Sequence, residues 1–275
     1  MLSSTLIILV TCSLDKSREK LAHDVIDNLV SEGQRNGFLS DLVIFDNHST
    51  YQAPLQGLPP EVKVYQSSKN IGYWGALHWL LENVDRFGKN YKYTYVVESD
   101  LIHHDMKRLD DCEAFLDAHP DVGGVRTQEF SVRWRWLYDK QFAFLPFSRR
   151  RSLVRLRNAI NGQYAWFKLA DPKARIFYTN LHAKIPAFNR LSAMQKVFSE
   201  IAKHEMTTEY EFMKFYYALF PKMAILDGGL YHLEGFDDAE VVHGSWSSQR
   251  KLDEFGYFKS RASPVIASGF EVMKL

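Results

Sequence analysis

Tyr93-Thr94-Tyr95-Val96-Val97-Glu98-Ser99-Asp100 is the stretch on which the reading of this chain turns. Five apolar, aromatic or β-branched residues make a strand. Two carboxylates, one residue apart, follow at its C-terminal end. Hard divalent cations prefer oxygen ligands, and Mg²⁺ is usually held by one or two carboxylates together with substrate phosphates. In an open α/β sheet, ligands bind outside the carboxyl ends of the strands. Glu98 and Asp100 therefore have the chemistry and the place of a metal seat. Taken alone, the pair fits a solvated loop equally well, so the flanking sequence has to decide.

Upstream, Leu6-Ile7-Ile8-Leu9-Val10 is a continuous apolar run that ends in Thr11-Cys12-Ser13. Such a run predicts a parallel-sheet strand buried on both faces. A polar segment follows from about Asp15 to Arg35. Its apolar residues Leu21, Val25, Ile26 and Leu29 recur at helical spacing. Leu42-Val43-Ile44-Phe45 predicts a second strand, closed by Asp46-Asn47-His48-Ser49. Val62-Lys63-Val64-Tyr65 predicts a third. Asn70-Ile71-Gly72 opens a helix running to about Phe87. Strands alternating with helices indicate a parallel α/β sheet.

In this order the motifs resemble those of GT-A-type glycosyltransferases of the family 2-like group. There, a first strand ends in a small polar segment at the nucleotide, as Thr11-Cys12-Ser13 does here. A second strand ends in Asp followed by Asn and Ser, here Asp46-Asn47-His48-Ser49. An Asn-x-Gly turn opens the next helix, here Asn70-Ile71-Gly72, and the metal motif is here Glu98-Ser99-Asp100. The resemblance covers roughly the first half of the chain. Glu98 replaces the family's first Asp and lengthens one arm of the seat. His78 and Trp79 stand where the helix often carries Asn and Gly.

The resemblance implies an α/β fold, a GT-A-type (Rossmann-like), mostly parallel sheet flanked by helices, with an acceptor-side helical and aromatic elaboration. Residues 1–127 would form the nucleotide-sugar-binding half. Residues 128–275 would form the acceptor-binding half and C-terminal tail, fused into one globular unit. Thr11, Cys12, Ser13, Asp46, Asn70, Gly72 and Ser99 would surround the nucleotide-sugar donor. For Asp46 the residues leave two readings open, an acceptor for the base or ribose and an Asx turn closing the strand. Asn70 and Gly72 read more readily as turn formers than as ligands. Mn²⁺ or Mg²⁺ would sit on Glu98 and Asp100. Many GT-A enzymes add a late His, and Val241-Val242-His243-Gly244-Ser245-Trp246 suits that role better than the segment around His232. His103 and His104, just after the acidic motif, read as solvated loop residues or as metal or phosphate contacts.

Met206-Thr207-Thr208-Glu209-Tyr210-Glu211-Phe212 predicts a helix start. A threonine hydroxyl can accept from the orphan amides of the first turn, and the helix dipole favours anions there. The resemblance makes Glu209 or Glu211 the general base. It would take the acceptor hydroxyl's proton as that oxygen attacks the anomeric carbon, with inversion. The other reading is that both are dipole-favouring surface residues.

The chain has 275 residues and a formal net charge of +1, so it can bury a large core and has no overall preference for polyanions. Its 2 cysteines, Cys12 and Cys112, lie far apart without metal-ligand spacing. Such usage favours a reducing compartment. The N-terminal apolar run is too short to span a bilayer and lacks a basic leader. The expected location is the cytoplasm, with any membrane contact peripheral, at the inner membrane surface.

From about Phe130 to Asn161 the chain is aromatic and basic, with Arg133, Trp134, Arg135, Trp136, Arg149, Arg150 and Arg151. Three readings compete: solvated arginines beside an aromatic core, a platform for an anionic or lipid-linked acceptor, and a nucleic-acid surface. The near-zero charge and the lack of a nucleic-acid motif disfavour the last, and no nucleic acid is expected. The expected activity is sugar transfer from a nucleoside-diphosphate sugar to a hydroxyl of a glycan or lipid-linked saccharide, as in polysaccharide biosynthesis. A non-catalytic nucleotide-binding module and a nucleotidyltransferase stand as alternatives. The latter is disfavoured by the lack of a Gly-rich phosphate loop after the first strand.

Overall fold

The computed structural model describes residues 4–97, 99, 101–127, 167–179, 187–204, 215–228, 230–233 and 269–275. The first apolar run is strand β1 (Thr5–Thr11), with every residue buried. Helix α1 (Lys16–Asn36) follows. Asp15 caps it through Oδ1, which accepts from the Arg18 amide at 2.9 Å, and Gly37 ends it in a left-handed conformation (φ 76°). Val25, Ile26 and Leu29 are its buried stripe. Then come β2 (Leu42–Asp46), β3 (Lys63–Ser67), α2 (Gly72–Glu82) and β4 (Tyr93–Val97). A single 3₁₀ turn, Val84–Phe87, carries α2 close to its expected end.

Beyond the acidic motif lie β5 (Leu101–His103), α3 (Leu109–Ala118), β6 (Val122–Arg126), β7 (Phe167–Asp171), β8 (Ile176–Thr179) and β9 (Phe188–Arg190). Helix α4 (Leu191–His204), a short helix at 215–219, β10 (Lys222–Leu226), β11 (Tyr231–Leu233) and β12 (Val272–Lys274) follow among the described residues.

Ten strands form one sheet in the order β12-β3-β2-β1-β4-β9-β6-β10-β8-β7. Strands β3, β2, β1 and β4 are mutually parallel, as the α/β reading requires. The second half is mixed. β9 runs antiparallel between β4 and β6, and β10 returns parallel to β6. At the edge, β12 pairs antiparallel with β3. Strands from both sides of residue 127 thus share one sheet. A separate two-stranded ladder joins β5 to β11, with Ile102 opposite His232.

Because successive side chains point to opposite faces, the sheet divides the core into two layers. Ile7, Leu9, Ile44 and Tyr95 pack with Val25, Leu29, Cys112 and Phe115 under α1 and α3. Leu6, Ile8, Phe45 and Tyr65 pack with Leu77, Leu80, Val197, Phe198 and Tyr216 under α2, α4 and the short helix at 215–219. Trp79 serves the second layer, with its ring 5.5 Å from those of Phe45 and Tyr65. Trp74 leans on Tyr73 and Phe198.

Arg190 ends β9 immediately before α4. Its guanidinium donates to the carbonyls of Leu116, His119 and Val122, satisfying the C-terminal end of α3. Cys12 and Cys112 are both unbridged, and Cys112 is fully buried. Among the described residues, no helix is long and apolar enough to cross a membrane.

Candidate functional site at the strand ends

Chain order fixes where the sheet can open. β1, β2 and β3 step outward in one direction, and the chain then returns to lay β4 on the other side of β1. The order reverses between β1 and β4. In doubly wound sheets this switch point leaves a crevice outside the carboxyl ends of the two strands. Those ends are Thr11-Cys12-Ser13 and the 98–100 motif. Leu9 is in register with Val97, the last ladder pair before both chains leave the sheet. Glu98 and Asp100 lie outside the described residues, as do Glu209, Glu211, His243 and the Arg/Trp segment. Ser99 is half-buried in a turn. Among the described residues no three His, Cys, Asp or Glu side chains come together as a metal-holding group.

The described wall of the crevice is a tied frame. Asp46 is fully buried, in register with Thr11 on one side and Gln66 on the other. Its Oδ1 accepts from the Ser49 amide at 3.0 Å, and its Oδ2 accepts from Gln66 Nε2 at 2.7 Å. The carboxylate thus closes the loop after β2 through the amide three residues on. The turn holds His48 in the left-handed region (φ 66°), where few residues other than glycine, Asn and Asp settle. The loop is then pinned to β1. The Ser13 amide donates to Ser49 Oγ at 2.7 Å, and the Ser13 carbonyl accepts from the amides of Thr50 and Tyr51. The Asn47 amide donates to the Thr11 carbonyl at 2.8 Å. The Thr11 hydroxyl is buried and has no hydrogen-bond partner among the described residues.

A second tie crosses three strand ends. Asn47 Oδ1 accepts from the Ile71 amide at 2.9 Å, and Asn47 Nδ2 donates to Asn70 Oδ1 at 3.0 Å. Asn70 Oδ1 also accepts from the Gly72 amide at 2.8 Å, and Asn70 Nδ2 donates to Cys12 Sγ at 3.2 Å. Gly72 sits at φ 74°, which explains the Asn-x-Gly pattern: the turn into α2 needs a residue without Cβ. Cys12 itself is half-buried. Burial, with the charge of Asp46 adding to it, pushes its thiol up to about 12, so the proton stays on at neutral pH.

Asn47→Ala is expected to cost about 2 kcal/mol or more, because it strips a buried backbone donor at Ile71 and a donor to Asn70 together. Chemical denaturation measures this. A loss below about 0.5 kcal/mol would show that the three strand ends are held by something else.

Sequence reading did not single out Gln66 or Arg18. Gln66 is a buried polar residue near the end of β3. Arg18 lies one turn into α1, near enough that its charge opposes the upward shift of Cys12. His103 is buried in the core: its Nε2 lies 2.9 Å from the Tyr95 hydroxyl, and Asn28 bonds both its amide and its carbonyl. His104 is exposed.

No family model and no curated protein matches this chain. Among solved structures it is similar to S. aureus TarS 1–349, at TM-score 0.47 and 16% identity over 90% of this chain and 65% of that one. The TarS 1–349 complex with UDP-GlcNAc gives 0.47 and 16%, over 83% and 58%. Glucosyl-3-phosphoglycerate synthase from Mycobacterium tuberculosis, in complex with Mn²⁺ and UDP-glucose, gives 0.42 and 14%, over 97% and 82%. The chain thus spans less than two thirds of the TarS structures it matches. At these identities and scores the likeness carries no argument about this chain's residues or activity.

Proposed function

We propose that this chain is a metal-dependent glycosyltransferase of the GT-A class. It would bind a nucleoside-diphosphate sugar in the crevice between β1 and β4 and transfer the sugar to a hydroxyl of a glycan or lipid-linked acceptor. The observation that carries this reading is the switch point itself. What supports it is that β1 and β4 are neighbouring parallel strands with the order reversing between them, and that Thr11-Cys12-Ser13 and Glu98-Ser99-Asp100 follow their apolar runs in sequence. Asp46, Asn47 and Asn70 act as the frame that shapes the crevice wall. Gly72 allows the turn that brings Asn70 to it, and Ser99 borders it beside β4.

Glu98, Asp100 and His243 are the residues proposed to hold Mn²⁺ or Mg²⁺. Two carboxylates suit either ion, and an added imidazole would favour Mn²⁺ over the harder Mg²⁺. The bound ion would neutralise charge on the leaving diphosphate. Glu209, or Glu211 in its place, is proposed as the base that accepts the acceptor hydroxyl's proton, giving inversion. Membrane contact, where it occurs, is assigned to the Arg/Trp segment.

Donor turnover tests the reading. Incubation with UDP-, GDP-, dTDP- and CDP-sugars and Mn²⁺ should release free nucleoside diphosphate from one of them, with chelator abolishing release. Tight nucleotide binding with no release in any acceptor mixture would replace the enzyme with a non-catalytic nucleotide-binding module. Pyrophosphate formation from a sugar phosphate and a nucleoside triphosphate would make it a nucleotidyltransferase.

A further inference from the structure

We propose that a cavity at the amino end of β4 is a second ligand site, one that takes a small oxyanion bearing hydroxyl groups, a sugar phosphate or a sugar acid. It goes beyond the crevice reading above and does not depend on it.

The cavity has a volume of about 380 Å³, within the range of small-molecule sites. Lys92, Tyr93, Asp117, Arg190, Ser192 and Gln195 line it. Topology brings them together. β9 runs antiparallel to β4, so Arg190 at its end stands in register with Tyr93 at the start of β4. α4 begins at the next residue, and α3 ends beside both with Asp117 in its last turn. The acidic motif follows the other end of β4. The 5 residues of that strand put about 16 Å between the cavity and the crevice.

The floor is fixed in place. Tyr93 is buried, and its hydroxyl donates to Asp117 Oδ1 at 2.7 Å. The Leu191 amide donates to the Lys92 carbonyl at 2.9 Å, which ties α4 to the sheet. Arg190 spends Nε and Nη2 on the carbonyls at the end of α3, and its Nη1 makes no hydrogen bond among the described residues. Lys92 is exposed, and its ammonium stands 3.6 Å from Asp117 Oδ1, a loose pair in water that leaves it able to turn to an anion. Two cations against one carboxylate give the cavity a local positive excess. The remaining polar atoms are acceptors. Gln195 Nε2 donates to the Leu81 carbonyl at 3.1 Å, which leaves the Gln195 oxygen over. Asp117 Oδ2 has no partner among the described residues. Such acceptors match hydroxyl donors, and a bare oxyanion would leave them unused.

Isothermal titration of the full chain tests this, without nucleotide or metal and at constant ionic strength. The probes are glucose-6-phosphate, gluconate, inorganic phosphate and glucose. At least one of the two anionic polyols should bind, and which of them binds tells a phosphate ester from a carboxylate. Inorganic phosphate should bind roughly tenfold more weakly, and glucose should give no heat of binding. Lys92→Ala should weaken binding about tenfold, the scale of one charge-assisted hydrogen bond. Ser192→Glu should abolish it by setting a carboxylate at the wall. α4 carries no acid in its first turn, and the helix dipole favours one there, so the melting midpoint of Ser192→Glu should hold or rise. Lost binding is thereby separated from lost folding. Asp100→Ala should bind the anionic polyol as wild type does.

No binding of either anionic polyol to folded protein overturns the proposal. So does glucose binding as tightly as they do, or binding that survives both Lys92→Ala and Ser192→Glu. Binding lost in Asp100→Ala would place the anion in the crevice and also overturn it.

Discussion

Gly124→Val is expected to lower the unfolding free energy by about 3 kcal/mol or more. Gly124 lies in the middle of β6, opposite Asn189 of β9. A Cβ there would come within 2.5 Å of the Phe188 carbonyl oxygen, 2.5 Å of Asn189 Oδ1 and 2.8 Å of the Tyr216 hydroxyl. The first of these is backbone inside the sheet and has no room to retreat. The other two are partners, since the Tyr216 hydroxyl donates to Asn189 Oδ1 at 2.8 Å, with both residues fully buried. A branched side chain must therefore either separate β6 from β9 or break that bond in the core. For a chain of this size the loss corresponds to a fall in melting midpoint of roughly 6–12 °C. Gly123 is also closed, by Phe220 and Tyr216. The two glycines let the 215–219 helix lie against the sheet. A midpoint within about 1 °C of wild type for Gly124→Val would show that β9 is not seated between β4 and β6 as described.

Asp100→Ala should reduce metal-dependent nucleotide binding by at least about 100-fold, since even residues supporting a metal's ligands are worth 10–100-fold in affinity. The melting midpoint without ligand should stay near that of wild type. The substitution lies between β4 and β5, beyond the last β1–β4 ladder pair, so it removes no described sheet bond. Nucleotide binding measured with and without Mn²⁺ separates the outcomes. Full metal-dependent binding in the variant would remove Asp100 from the metal site.

Much of the parallel half was legible in the sequence. β1 and β4 are continuous apolar or β-branched runs, because strands covered on both faces have no solvent side on which to alternate. The stripe of α1 was visible from Val25, Ile26 and Leu29, all of which are buried. The end of β4 was legible for the same reason: charge directly after a run of buried residues marks a strand end. The second half was harder to read. β9 has three residues, Phe188, Asn189 and Arg190, too few to show a period. β12 pairs with a strand some two hundred residues earlier, and no local pattern announces such a partner.

The sequence names candidate site residues, but not the hydrogen-bond network among the described ones. Asp46 reads alike from sequence whether it faces a ligand or closes a turn. In the structure its carboxylate accepts from the nearby Ser49 amide and from Gln66, and Gln66 reaches it only once β2 and β3 are in register. Cys12 looks like an inert small residue from composition. Its contact with Asn70, whose polarity is set by the backbone amide of Gly72, shows only in the structure.

The account is tested most directly by a thermal-shift panel of UDP, GDP, dTDP and CDP, each with and without Mn²⁺. A ligand at a hundred times its dissociation constant adds about 2.7 kcal/mol to stability, a shift of several degrees in a chain of this length. The account predicts that one nucleotide raises the midpoint, and does so only with Mn²⁺ present. Cooperative unfolding at an unchanged midpoint with every nucleotide, with and without metal, would contradict it.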